Sequence, residues 1–181
     1  MKKTIALLAV AAALIPAAAV AEQGQLTPYL SGKLGFIYSV PETFRNLDLI
    51  GGSAAVAIGV NYQHHLDFNI RQEIEAGYAV AGGNHSSVQT LSGMANMYFD
   101  FGHHRLRPYV GAGLGISEVY MNPKNVTAYS SFGLNWGLYA GLNYTLGRYW
   151  IADLGLKYTE AETKAIDVPT WGITLGARTR F

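Results

Sequence analysis

From Phe132 to Leu146 the chain alternates without a break. Phe132, Leu134, Trp136, Leu138, Ala140, Leu142, Tyr144 and Leu146 fall on one side, and Gly133, Asn135, Gly137, Tyr139, Gly141, Asn143 and Thr145 on the other. An α-helix places neighbours about 100° apart and would smear both sets around its circumference. A period of two held this long requires an extended strand with one apolar and one polar or small face. Few architectures accommodate a strand of that length, so this segment constrains the fold more than any other.

The same phase recurs along the chain. Leu30, Leu34, Phe36 and Tyr38 alternate with Tyr29, Ser31, Lys33 and Gly35; Val56, Ile58, Val60 and Tyr62 alternate with Ala55, Ala57, Gly59 and Asn61. Ile70, Ile74, Ala76 and Tyr78 oppose Arg71, Glu73, Glu75 and Gly77, and Met97, Phe99 and Phe101 oppose Asn96, Tyr98 and Asp100. Val110, Ala112, Leu114 and Ile116 oppose Tyr109, Gly111, Gly113 and Gly115. Trp150, Ala152, Leu154, Leu156 and Tyr158 oppose Ile151, Asp153, Gly155 and Lys157. In the last segment Trp171, Ile173, Leu175, Ala177 and Phe181 oppose Gly172, Thr174, Gly176, Arg178 and Arg180. With the segment at 132–146 this makes eight strands, and a single-chain bacterial barrel takes an even number. Compact turns are expected near His64-His65, Gly102-His103-His104 and Gly147-Arg148. Longer links are expected around 41–48, 82–86, 121–126 and 160–167. Short turns at one end and longer loops at the other match the periplasmic and extracellular sides of an outer-membrane barrel. Tyr29, Tyr62, Phe68, Phe101, Tyr149, Trp150 and Trp171, near strand ends, are read as an aromatic girdle.

Which face meets lipid follows from composition. Half the residues are hydrophobic, 21 are glycine and 12 are tyrosine. Yet beyond the N-terminus no run of about 18 apolar residues exists to make a membrane-crossing helix. Where backbone groups must all be paired internally, the remaining way across a bilayer is a closed barrel. The polar face carries glycine and charges of both signs, whereas the apolar face carries large side chains throughout. That arrangement inverts a soluble barrel. The expected fold is all-β: an eight-stranded antiparallel up-and-down transmembrane barrel over residues 22–181. Residues 1–21 read as a cleavable signal peptide: Lys2 and Lys3, an apolar stretch from Thr4 to Ile15, then the cleavage signal Ala19-Val20-Ala21. The absence of cysteine excludes disulfides and thiolate chemistry, and a formal charge of +1 gives no reason to expect nucleic acid.

An eight-stranded lumen is wide enough only for side chains. Lys33, Arg71, Arg107, Lys157, Arg178 and Arg180 are placed in it against Glu73, Glu75, Asp100 and Asp153. Unpaired charge there costs several kcal/mol per ion, so these residues are expected to form a paired network that plugs the barrel. The alternative is a gated narrow pore in which pairs such as Arg71 and Glu73 exchange partners. The pairs His64-His65 and His103-His104 could meet at one end, but adjacent strand residues point oppositely, and solvated turn residues are expected. No metal and no cofactor is expected.

The segment Arg107-Pro108-Tyr109-Val110-Gly111-Ala112-Gly113-Leu114-Gly115-Ile116 resembles the fifth strand of opacity-protein-like outer-membrane barrels. Phe181, at the end of an alternating last strand, resembles the signal read by the outer-membrane assembly machinery. The group is also similar to the transmembrane domain of outer-membrane protein A. This resemblance implies an outer-membrane location, contact with outer-membrane lipid and lipopolysaccharide, and non-enzymatic surface roles such as adhesion, host-molecule binding or envelope integrity. A monomer is expected. A narrow channel or carrier for small solutes is the alternative. A lipid A-modifying enzyme is the least favoured reading. The deacylase barrels place His-x-Ser on a late strand, where this chain reads Lys157-Tyr158-Thr159-Glu160, and His85-Ser86-Ser87 lies in an expected loop. The palmitoyltransferase barrels begin with an amphipathic helix, for which residues 22–27 are too short and too polar.

Overall fold

The computed structural model describes residues 25–40, 49–63, 68–83, 86–102, 104–123, 129–164 and 167–181. The proposed signal segment, His64-His65, His85 and His103 lie outside them. Eight strands follow one another: β1 (Gln25–Ser39), β2 (Leu49–Gln63), β3 (Phe68–Gly83), β4 (Ser86–Phe101), β5 (Leu106–Pro123), β6 (Tyr129–Thr145), β7 (Trp150–Thr163) and β8 (Asp167–Arg180). Each pairs antiparallel with the next, and β8 pairs with β1, so the sheet closes with no free edge. Closure satisfies the backbone without water, which is the condition for crossing hydrocarbon.

The register fixes the tilt. Paired residues followed once around run Tyr29, Gly59, Glu73, Asn96, Gly113, Gly137, Thr159, Thr170 and back to β1 at Ser39. The path returns to its own strand ten residues further on, as shown by starting at Tyr29 and ending at Ser39. A stagger of this kind tilts the strands against the barrel axis, and tilt, stagger and diameter are linked. The first described residue, Gln25, and the last, Phe181, lie at the end where β2 passes to β3, β4 to β5 and β6 to β7. We call this the terminal end and the opposite one the distal end.

The faces follow the alternation. Leu34, Ile58 and Leu175 point out and are 68%, 66% and 66% exposed, while Arg71, Asp100 and Arg178 point in and are 1%, 1% and 4% exposed. Such an inversion is stable only where the outer surroundings are apolar. Two of the four distal links depart from expectation. Only residues 84–85 separate β3 from β4, and 164–166 separate β7 from β8, fewer than in the links at the terminal end. Gly82 and Gly83 read as a turn, yet they pair with Ser87 and Ser86. Ladder hydrogen bonds are made by backbone and do not require side chains.

Glycine and tyrosine are abundant for a shared reason. Tyr29 faces the lumen opposite Gly59. A Cβ at Gly59 would run into the Gln72 carbonyl oxygen and lie 2.5 Å from the Tyr29 ring. Tyr109 lies over Gly141 in the same way, with its Cζ and hydroxyl 2.7 Å from where a Cβ would stand. Glycine thus makes room for rings folded flat against the wall. Tyr29 is only 1% exposed, so its reading as part of a lipid-facing girdle is corrected: it is a lumen residue. Gly59→Ala is expected to destabilise the barrel by about 1–3 kcal/mol, the cost of overpacking, measured by urea unfolding in lipid vesicles. An unchanged midpoint would show that the ring is not seated there.

Candidate functional site

The lumen holds three layers. Near the terminal end, Arg71 on β3 lies between Asp100 and two rings: Nη2 donates to Asp100 Oδ1 at 3.3 Å, and the guanidinium sits 4.0 Å from the Tyr98 ring centre and 5.2 Å from that of Tyr109. Arg178 on β8 reaches the other Asp100 oxygen at 3.6 Å and stands 5.6 Å from the Tyr29 ring centre. Desolvated contacts of a cation with an aromatic face are worth about 2 kcal/mol. The tyrosines therefore help to solvate these buried arginines.

The middle layer centres on Glu73. It pairs with Lys33 Nζ, accepts from the Tyr29 hydroxyl at 2.9 Å, and lies 3.7 Å from Arg71 Nη1. Lys33 also binds Glu75 Oε2 at 2.6 Å and donates to the Tyr98 hydroxyl at 3.3 Å. Together with the Arg178–Asp100 pair, these bonds join β1, β3, β4 and β8 across the lumen, so the network ties opposite walls together. Asp153 enters through the Tyr109 hydroxyl, which donates to it at 3.2 Å, and Lys157 donates to Ser53 Oγ at 3.1 Å. Eight of the ten charged residues expected in the lumen thus make polar contacts there. Arg107 and Arg180 do not: they stay half-buried nearer the terminal end and form no ion pair among the described residues.

The distal layer is apolar. Ile37, Leu49, Ala81, Val88, Val119, Met121, Ala161 and Val168 are all at most 4% exposed and pack together. Seven strands contribute to this collar. Reading the lumen face as polar missed it. The signal was present in the alternation itself, since Ile37, Val119 and Val168 share the phase of Lys33, Ser117 and Thr174. Between collar and charges lies a cavity of about 60 Å³, bordered by Ser53, Glu75, Tyr139 and Lys157. A second, of about 30 Å³, lies among Lys33, Arg71, Tyr98 and Asp153. Each accommodates a few waters and nothing larger.

A closed, tilted barrel with lipophilic walls and a charged interior defines a transmembrane barrel of the outer-membrane class. The sequence matches the outer membrane protein beta-barrel domain family over residues 5–181, and the chain belongs to that family. Its location is accordingly the outer membrane. No curated protein matches the sequence. Among solved structures the chain is similar to Neisserial surface protein A, with TM-score 0.71, 16% identity, and coverage of 87% of this chain and 99% of that one. It is also similar to Ail, the attachment invasion locus protein of Yersinia pestis (TM-score 0.52, 15% identity, 86% and 98% covered). The outer membrane enzyme PagL matches with TM-score 0.51 and 12% identity over 80% of this chain and 97% of that one. At such identities these likenesses establish the fold, and fold does not carry function.

Proposed function

We propose that the chain is a non-enzymatic surface barrel with a closed lumen, acting at its extracellular rim in attachment to host molecules or in envelope integrity. The observation that carries this reading is the pair of stacked seals, an apolar collar above a tied charge network. With the interior closed, the parts free to meet a partner are the rim and the lipid-facing wall. Support also comes from the structural likeness to an attachment protein, Ail, which has been crystallised with the heparin analogue sucrose octasulfate. The rim is small, with only residues 84–85 between β3 and β4, so any macromolecular contact must combine several links. Phe181 we assign to recognition by the assembly machinery. Replacing residues 41–48 and 124–128 together by Gly-Ser linkers tests the reading. Bacteria carrying the altered barrel are expected to lose attachment to host cells, or to become sensitive to bile salts, while folded barrel remains at its normal level. Unchanged attachment and unchanged bile-salt sensitivity would contradict it.

A narrow solute channel is the second reading. It is favoured by the two lumen cavities and by the buried side-chain amides of Asn96 and Asn143 and Nε of Arg178, which hydrogen-bond to no protein group among the described residues. Such atoms call for water, and a hydrated interior is the precondition of conduction.

A further inference from the structure

The rim and the outer wall are surfaces for a large partner; the mouth of the lumen at the terminal end suits something smaller. Inside the network, Lys33, Arg71, Lys157 and Arg178 stand against Glu73, Glu75, Asp100 and Asp153, four cations to four anions. Arg107 on β5 and Arg180 on β8 are left over as two positive charges, with no ion pair among the described residues. The register sets these two level with each other. From Arg107 the ladder runs through Asn143 and Asp153 to Gly176. The stagger of ten residues around eight strands amounts to about four over these three steps. Since β8 runs towards the terminal end, its residue level with Arg107 is Arg180. Both side chains share the inward phase, and each has a buried Nε that bonds to no protein group among the described residues. Each lies in the field of the other, and like charges so placed repel.

The buried neighbours of this pair lack acceptors too. Asn143 sits beside Arg107 on the ladder, is 0% exposed, and has neither Nδ2 nor Oδ1 bonded to protein among the described residues. Arg178, two residues from Arg180 on the same face, is 4% exposed, and its Nε is likewise unbonded. Buried donors call for a partner, and Asp100 is already taken up by Arg71 and Arg178. We propose that the terminal mouth binds one phosphate-class dianion, free or as the end of a small monoester, between Arg107 and Arg180. Asn143 Nδ2 donates a third hydrogen bond, and Arg178 closes the site from above. Planar guanidinium forks match phosphate oxygens two at a time. A dianion neutralises both leftover charges, whereas a carboxylate leaves one standing. The narrow lumen confines the occupant to a single tetrahedral group. This site lies at the opposite end from the collar, so it stands whether or not the rim binds a host partner.

The test uses the full chain refolded in a maltoside detergent and titrated calorimetrically with sodium phosphate at constant ionic strength. One saturable site per barrel is expected, at least tenfold tighter for phosphate than for acetate. Arg107→Gln and Arg180→Gln should each weaken binding at least tenfold. Arg148→Gln, exposed between β6 and β7 at the same end, should leave it unchanged, which separates a built site from attraction to a basic surface. Urea unfolding adds a second readout. Without phosphate, Arg107→Gln should unfold at the same urea concentration as the unaltered chain or a higher one, because repulsion is relieved. Saturating phosphate should raise the midpoint of the unaltered chain and not that of the variant. Tighter binding of glycerol 3-phosphate than of inorganic phosphate would support the site as one for a monoester, and the reverse order as one for the free ion. No saturable uptake of either probe, or equal uptake by the chain carrying both Arg107→Gln and Arg180→Gln, would overturn the proposal and leave these arginines to water or to the chain's own terminal carboxylate.

Discussion

Glu73→Gln is expected to weaken the folded barrel by about 3–5 kcal/mol, the scale measured when one partner of a buried ion pair is removed. The Glu73 side chain has no exposed surface and touches Lys33, Arg71 and Tyr29. Glutamine preserves the volume and can still accept from the Tyr29 hydroxyl. It removes the negative charge, so Lys33 and Arg71 then depend on Glu75 and Asp100 alone. Glu75→Gln should cost less, because among the described cations Glu75 pairs with Lys33 alone and its side chain keeps 13% of its surface exposed. Urea unfolding in vesicles, followed by tryptophan fluorescence, checks both values. Equal, small effects would mean that the lumen charges are solvated rather than tied together.

The second large effect lies on the opposite face. Leu175→Arg is expected to destabilise the barrel by about 2–4 kcal/mol in a bilayer, the cost of an arginine on the lipid side near the midplane. Leu175 is 66% exposed, and in a water-soluble protein such a substitution would change stability by no more than about 0.5 kcal/mol. The same change at Leu146, 64% exposed in the link between β6 and β7, should cost about 1 kcal/mol or less, because the penalty falls towards the interface. Equal costs at the two sites would contradict a bilayer around the middle of β8.

Strand number, order and facing were legible because a barrel wall has two contrasting solvents, lipid and lumen, and a period of two records that contrast directly. The same phase sets Arg71, Glu73, Asp100 and Arg178 on the face that is turned inward. What could not be read was which of them meet. Lys33 and Glu73 are 40 positions apart in sequence, and only the stagger around the barrel brings their levels together. Tyr29 was misplaced because an aromatic near a strand end fits a girdle as well as a lumen. Its partner Gly59 on the next strand, of the same phase, was the clue. The apolar collar was hidden for a related reason. Ile37 lies between Phe36 and Tyr38, where three large apolar residues in a row blur the alternation. The link at 82–86 was overestimated because Gly82 and Gly83 were taken as a turn, although the ladder runs through both, and the link at 160–167 because β7 continues to Thr163.

The proposal that the protein works through its rim rests on a lumen closed at two levels. Single-channel recording of the refolded chain in planar bilayers tests it most directly. The expected record shows no resolvable openings, both for the unaltered chain and for Val119→Ser, because softening the collar leaves the Lys33–Glu73–Arg71 network in place below it. Reproducible openings of the unaltered chain, with a conductance that shifts in Glu73→Gln, would contradict closure and make solute passage the leading function.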